Sequence, residues 1–198
     1  MKRKLGYLEV IAGPMYCGKT EELIRQVKRA TIGKKKVQAF NHTIDNRYGK
    51  EKKLFSHNGQ SHDSEKVSSV AKLRKALKKD TEIIAIDEAQ WFGEELVPLV
   101  ESLLDQGKKV IVAGLAMTFD RKPFVPMPTL MVMADRVTKL SAICALCGEE
   151  AVFHKRITKK KVASDSLAPD PAFVSKLDAS VFQARCRKCL YWTPETAQ

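Results

Sequence analysis

Long apolar runs are what this sequence most plainly lacks. No stretch among its 198 residues approaches the ~20 apolar positions of a membrane-spanning helix, and no signal-peptide pattern follows Met1. The opening Met-Lys-Arg-Lys is basic, but the apolar segment behind it is short and is interrupted by Glu9. The expectation is a cytoplasmic protein with no membrane partner. Internal repeats and low-complexity tracts are also absent, which removes solenoids and disordered linkers. Aromatic residues make up only 7%, and none interleave with the lysine clusters Lys34–Lys36, Lys72–Lys79 and Lys159–Lys161. A stacking platform for single-stranded nucleic acid needs that interleaving. The net charge of +12 arises almost wholly in residues 1–80, which hold 20 Lys and Arg against 8 Asp and Glu. A polyanion footprint and a set of solvated helix ends both account for such a surplus. Without the aromatics the second is expected, and with it no nucleic-acid partner.

What is present describes a folded chain. Hydrophobic residues reach 44% and charged residues 29%, enough for a sizeable core and a well-solvated surface. Tyr7–Ala12 reads as a short buried strand ending at Gly13. Leu23, Ile24, Val27 and Ala30 then recur at helical spacing from Thr20 to about Ile32, where Gly33 stops them. Val37–Phe40 is a second strand. Residues 41–66 are polar and read as a long loop or exposed hairpin of functional character. Val67–Lys79 is expected to be an amphipathic helix with Val70, Leu73 and Leu77 on one face. Glu82–Ile86 is the next strand, Glu94–Gln106 the next helix, and Lys109–Ala113 a fourth strand ending at Gly114. Strands alternating with helices predict an α/β fold, a P-loop NTPase-type parallel sheet flanked by helices. The pattern fades near Ser141. That places a boundary between a domain over residues 1–140 and a small C-terminal module over 141–198.

Gly13-Pro14-Met15-Tyr16-Cys17-Gly18-Lys19-Thr20 fits G-x-x-x-x-G-K-[ST], after a strand and before a helix as the mechanism requires. Its backbone N–H groups are expected to cradle the phosphates of ATP, Lys19 to reach the β- and γ-phosphates, and Thr20 to coordinate Mg²⁺. A Mg²⁺–triphosphate site also needs a carboxylate at the end of a neighbouring strand. Ile83–Ile86 delivers Asp87 there, and Glu88 follows. Glu88 is a candidate general base toward an acceptor hydroxyl or water; the alternative is a loop cap or a partner for a nearby lysine. Asp87-Glu88-Ala89-Gln90 also has the form of a helicase box, but a second RecA-like lobe does not fit in this length.

Cys144-x-x-Cys147 and Cys186-x-x-Cys189, 38 residues apart, can place four thiolates around one structural Zn²⁺ with no open position. Disulfides and a redox pair are the alternatives; a cytoplasmic chain disfavours the first. The segment 115–133, rich in Leu, Met, Phe, Val and Pro, suits the apolar wall of a flat ligand or an ordinary core.

Taken in order, these motifs resemble the thymidine kinase family of the tetrameric, zinc-containing type. The resemblance runs from about Gly6 to Cys189. It rests on GPMYCGKT, Asp45-Asn-Arg47-Tyr48, Ser56-His57-Asn-Gly59, Asp87–Phe92, Gly114-Leu115 with Phe119–Phe124, Lys139-Leu140 and the two Cys-x-x-Cys pairs. It implies transfer of the γ-phosphoryl of ATP to the 5′-hydroxyl of thymidine or deoxyuridine. Glu88 would be the base, Asp87 would order the water shell of Mg²⁺, and Arg47, beside Asp45, would serve the phosphates. Ala89 and Gln90 would join the nucleotide site. Met15, Gln90, Leu115, Phe119 and Phe124 would wall the nucleoside. A lasso before the third cysteine, here Val174–Phe182 with Val181 and Phe182 toward the substrate, would cross the base. His154 falls where thymidine-specific members often carry Thr beside the base, and counts as a substrate contact. A homotetramer, inhibited by the end-product triphosphate, is implied too. Two alternatives stand beside this reading: a kinase for another deoxynucleoside, and a P-loop ATPase stimulated by nucleic acid. The lasso lacks the family's glycines, and Cys17 and Ala116 are further departures.

Overall fold

A computed structural model describes residues 5–44, 53–55, 61–157 and 182–191. Asp45, Arg47, Val181 and nearly all of the expected lasso lie outside these residues.

The core is a six-stranded sheet, every pairing of which is parallel. Its strands are β1 (Tyr7–Ala12), β2 (Val37–His42), β5 (Glu65–Val67), β6 (Ile83–Asp87), β7 (Lys109–Gly114) and β8 (Arg136–Lys139), in the order β5-β2-β6-β7-β1-β8. The strands alternate which face each residue serves. Ile11, Ala39, Ala85, Ile111 and Ala113 pack with Leu23, Ile24 and Val27 of helix α1 (Lys19–Ile32). Leu8, Val10, Phe40, Ile84, Ile86, Val110 and Val112 pack on the other side against α2 (Val70–Ala76), α3 (Leu96–Asp105) and α4 (Met127–Met133). The α/β expectation is met, with both faces of the sheet covered.

Three local expectations are corrected. The helix expected from Val67 begins at Val70, because Val67 pairs in register with His42 as the last residue of β5. Ser69 is its N-cap and accepts from the Lys72 N–H at 3.3 Å. Leu77 closes it in an extended conformation. The helix expected over Glu94–Gln106 is the shorter α3. Part of the expected pocket wall, residues 127–133, is α4, whose Met127 and Leu130 lie in the core. The polar stretch after β2 does contain a hairpin, β3 (Lys53–Phe55) against β4 (Ser61–Asp63).

Past Leu140 the chain forms two short antiparallel ladders. β9 (Ala142–Ile143) pairs with β10 (Glu150–Ala151), and β11 (Phe153–Arg156) pairs with β12 (Phe182–Arg185).

Candidate active site

β1, β2, β6 and β7 all end at one edge of the sheet. Ala12 stands level with Gly114, and Asn41 with Asp87. The loops that leave these strands therefore converge, as ligand-binding loops of parallel sheets do.

The phosphate loop begins at Gly13. A Cβ there would lie 2.5 Å from Cys17 Sγ and 2.7 Å from the Leu140 carbonyl oxygen, so only glycine lets the loop close on itself. Gly18 has φ 81°, and Tyr16 holds φ 66° without being glycine, a conformation that costs on the order of 1 kcal/mol. No side chain caps α1, which leaves the N–H groups of its first turn to an anion. Lys19 Nζ donates to the Pro14 carbonyl at 2.6 Å and lies 3.7 Å from Cys17 Sγ.

A chain of hydrogen bonds crosses the sheet edge from this loop. Thr20 Oγ1 donates to Asp87 Oδ2 at 2.8 Å, and the other oxygen of that buried carboxylate accepts from the Glu88 N–H at 2.9 Å. Glu88 sits in the left-handed region, φ 51° and ψ 40°. Its carboxylate accepts from Gln90 Nε2 at 2.6 Å, and Gln90 Oε1 accepts from the Leu115 N–H at 3.0 Å. Gln90 is buried at the start of the short 3₁₀ turn Ala89–Phe92, beneath Gly114. Thus Thr20, Asp87, Glu88, Gln90 and Leu115 share one network across three loops.

After β7 the chain folds back on itself, with a bridge between Met117 and Pro123 and a bond from Phe124 N–H to the Ala116 carbonyl at 3.0 Å. Phe119 and Phe124 diverge from this turn. Phe124 is buried edge-on against Trp91, ring centres 5.2 Å apart. Phe119 is part-exposed and lies 5.9 Å from Phe182. Met15 is half-buried in the loop. The C-terminal module reaches the same place: the Tyr16 hydroxyl donates to the Phe182 carbonyl at 3.2 Å, and Cys17 packs against the cluster of Cys144, Ala184, Cys186 and Cys189. His154 is buried beside Phe182. Burial, and secondarily the charge of Lys19, push its imidazole down to about 4.

Sequence reasoning missed Arg156, whose guanidinium lies 5.9 Å over the Phe119 ring; its signal was spacing, two residues beyond His154 on one strand. It also missed His42, buried edge-on against Phe92 at 4.8 Å. Burial lowers the pKa of that imidazole, against smaller raising effects of a hydrogen bond to the Ser68 backbone and of the Glu88 charge.

Cys144, Cys147, Cys186 and Cys189 converge as unbonded thiols whose sulfurs all lie within 4.8 Å of one another. Four sulfurs at ~2.3 Å from a tetrahedral zinc would be about 3.8 Å apart. Cys147 and Cys186 stand at 3.6 Å, so the donor set and its spacing fit Zn²⁺. Burial opposes ionisation of Cys144, but the N–H groups of Cys186, Leu146 and Cys147 outweigh it and bring that thiol to about 6. Cys189, hydrogen-bonded to Cys147 and desolvated, is pushed up to about 12. A dication is what four thiolates in one place require. Among the described residues no helix is long and apolar enough to cross a membrane.

The family model described as thymidine kinase matches residues 6–190. The chain is an enzyme of the thymidine kinase family.

Proposed function

We propose that this member of the thymidine kinase family transfers the γ-phosphoryl group of ATP to the 5′-hydroxyl of thymidine or deoxyuridine, with Glu88 as the general base. The observation that carries the reading is the network from Thr20 through Asp87, Glu88 and Gln90 to Leu115. It joins a phosphate loop, a metal-type carboxylate, a second carboxylate and the loop that begins the apolar wall. In this reading the backbone N–H groups of Met15 to Thr20 hold the phosphates, and Lys19 offsets their charge. Thr20 would coordinate Mg²⁺ and Asp87 would order its water shell, and the ion would supply positive charge to offset that of the phosphates. Glu88 accepts the hydroxyl proton as the 5′ oxygen attacks phosphorus, and ADP departs with the electrons of the broken bond. Gln90 keeps the Glu88 carboxylate aimed, and the Ala89 backbone lies beside it.

Met15, Leu115, Phe119, Phe124, His154, Val181 and Phe182 serve the nucleoside, and Asp45 and Arg47 serve the reacting end. Zn²⁺ on the four cysteines has a structural role, holding β11 and β12 against the phosphate loop. We place the domain boundary between residues 140 and 141. We assign the enzyme to the cytoplasm as a homotetramer, without membrane or nucleic-acid partners.

ADP release measured with Mg-ATP and each deoxynucleoside in turn tests the reading. Thymidine or deoxyuridine should support turnover. Glu88→Gln should lower kcat by about 10²–10⁴-fold, the range for loss of a general base. Equal turnover by Glu88→Gln would remove Glu88 from that role, and turnover only on another nucleoside would reassign the base pocket.

A further inference from the structure

The turn that follows β7 is a hairpin with a three-residue loop. The Thr118 N–H donates to the Lys122 carbonyl at 2.9 Å and the Arg121 N–H to the Thr118 carbonyl at 3.0 Å, which leaves Phe119, Asp120 and Arg121 at the tip. Such a loop puts its last residue in the left-handed region, where glycine sits without strain. Here that position holds Arg121, with φ 68°, and the side chain makes the backbone costly. The Thr118 hydroxyl donates to the Asp120 carboxylate, and Lys122 pairs with the same carboxylate at 3.0 Å. The tip is therefore braced from within, by every polar side chain except that of Arg121.

The Arg121 side chain leaves this unit for the C-terminal module. Its guanidinium donates to the Tyr191 hydroxyl and lies 5.1 Å over the Tyr191 ring. Among the described residues it has no carboxylate partner. Tyr191 stands two residues after Cys189, one of the four converging thiols. The same loop meets the module again at Phe119, which lies 5.9 Å from Phe182 and 5.9 Å beneath the Arg156 guanidinium. Phe182 in turn accepts from Tyr16 of the phosphate loop. The loop is thus held at two points, one through a residue of the proposed nucleoside wall and one through a residue outside it.

We propose that Arg121 is a positioning residue for nucleoside binding: by clasping Tyr191 it ties the hairpin loop to the four-cysteine module and holds Phe119 in place against Phe182. The inference rests on the kinase reading above, in which Phe119 and Phe182 serve the nucleoside, and deepens it. Phe119 is 39% exposed, so its own packing does not fix the loop. The planar guanidinium stacked on a phenol ring adds a second, directional contact. A wall fixed beforehand spares the nucleoside the cost of ordering it. That gain is what the strained backbone at Arg121 is set against.

The test compares unaltered enzyme with Arg121→Gly, Tyr191→Leu, Tyr191→Phe and the double variant Arg121→Gly/Tyr191→Leu. Thymidine binding is measured by calorimetry, KM and kcat with thymidine and ATP varied separately, and thermal midpoint and zinc content are checked. Arg121→Gly suits the backbone and removes the clasp. It should change the thermal midpoint little, since relief of strain offsets the lost contact. It should nevertheless raise the KM and Kd for thymidine about three- to five-fold, with kcat and the KM for ATP moved less. A residue that served only the turn would leave both thymidine constants as they were. Tyr191→Leu should give the same loss, and Tyr191→Phe, which keeps the ring, a smaller one. The double variant should lose no more than either single change, because one contact is removed in all three. Unchanged thymidine constants in Arg121→Gly, or losses that add in the double variant, would overturn the inference and leave the kinase reading standing. Failure of the unaltered enzyme to bind or turn over any nucleoside would overturn both.

Discussion

Glu88 occupies a backbone conformation that few residues other than glycine adopt, and its side chain is held by Gln90 at 2.6 Å. Together these fix a carboxylate at the exit of β6 with little freedom to rotate, as a proton acceptor in a phosphoryl transfer needs. Gly114 sits behind the arrangement: a Cβ there would be 2.6 Å from Gln90 Oε1 and 2.8 Å from Met127 Sδ. Gly114→Ala should therefore displace Gln90 and lower kcat about ten-fold or more while the phosphate loop still binds ATP; steady-state kinetics with ATP and nucleoside varied separately would show the split. The imidazole of His154 makes a second residue-level prediction. Below about pH 6.5 the unfolded chain takes up a proton that the folded chain refuses until about pH 4. Unfolding is thus increasingly favoured as pH falls through that window, by roughly 3 kcal/mol in all. Denaturant titrations at pH 7 and pH 4.5 should show less acid destabilisation in His154→Phe than in the unaltered protein.

Legibility at this scale followed how local each signal is. Gly13 to Thr20 and Asp87-Glu88 are contiguous, and their chemistry reads directly from spacing. The dual contact of Gln90 depends on the Leu115 N–H, 25 residues away, which no local pattern encodes. The burial of His154 was equally illegible, because it comes from β12 and the phosphate loop and not from its own neighbours on β11.

Among elements, the sheet strands with continuous apolar runs were legible and the polar ones were not. β6 is buried along its length and stood out in the sequence. β8 is largely exposed at the sheet edge and carries no periodicity to find. Val67 shows how pairing overrides pattern: it continues the apolar spacing of Val70 and Leu73, but bonding alongside β2 claims it for β5. The paired cysteines announced the C-terminal ribbon, although the ladders they support are only two to four residues long. Such short ladders cannot persist on their own, so zinc should hold them. Chelator treatment should release one Zn²⁺ per chain and abolish nucleoside binding as β11 and β12 leave the phosphate loop. Metal release measured with a colorimetric dye, alongside thymidine binding by calorimetry, checks this; full binding after complete zinc loss would contradict it.

For the whole molecule, the parallel sheet sets the function by geometry: four strands end at one edge, so residues from 13 to 124 meet there although they are far apart in sequence. The chain carries a net charge of +12, the proposed cosubstrate is a polyanionic nucleotide, and steering of one by the other weakens with salt. Raising ionic strength from 0.05 to 0.5 M should therefore lower kcat/KM for ATP several-fold and leave that for the uncharged nucleoside less affected. The proposed homotetramer predicts a sedimenting mass about four times that of the chain, whose mass is 22.2 kDa.

The most direct test of the central claim follows the γ-phosphoryl group itself. Unaltered enzyme and Glu88→Gln are incubated with γ-labelled ATP, Mg²⁺ and thymidine, and the products are separated. The account predicts label on the 5′ oxygen of thymidine in equal amount to the ADP formed, with transfer slowed by at least two orders of magnitude in Glu88→Gln. Label released only as inorganic phosphate, at a rate raised by added DNA or RNA and indifferent to thymidine, would contradict it.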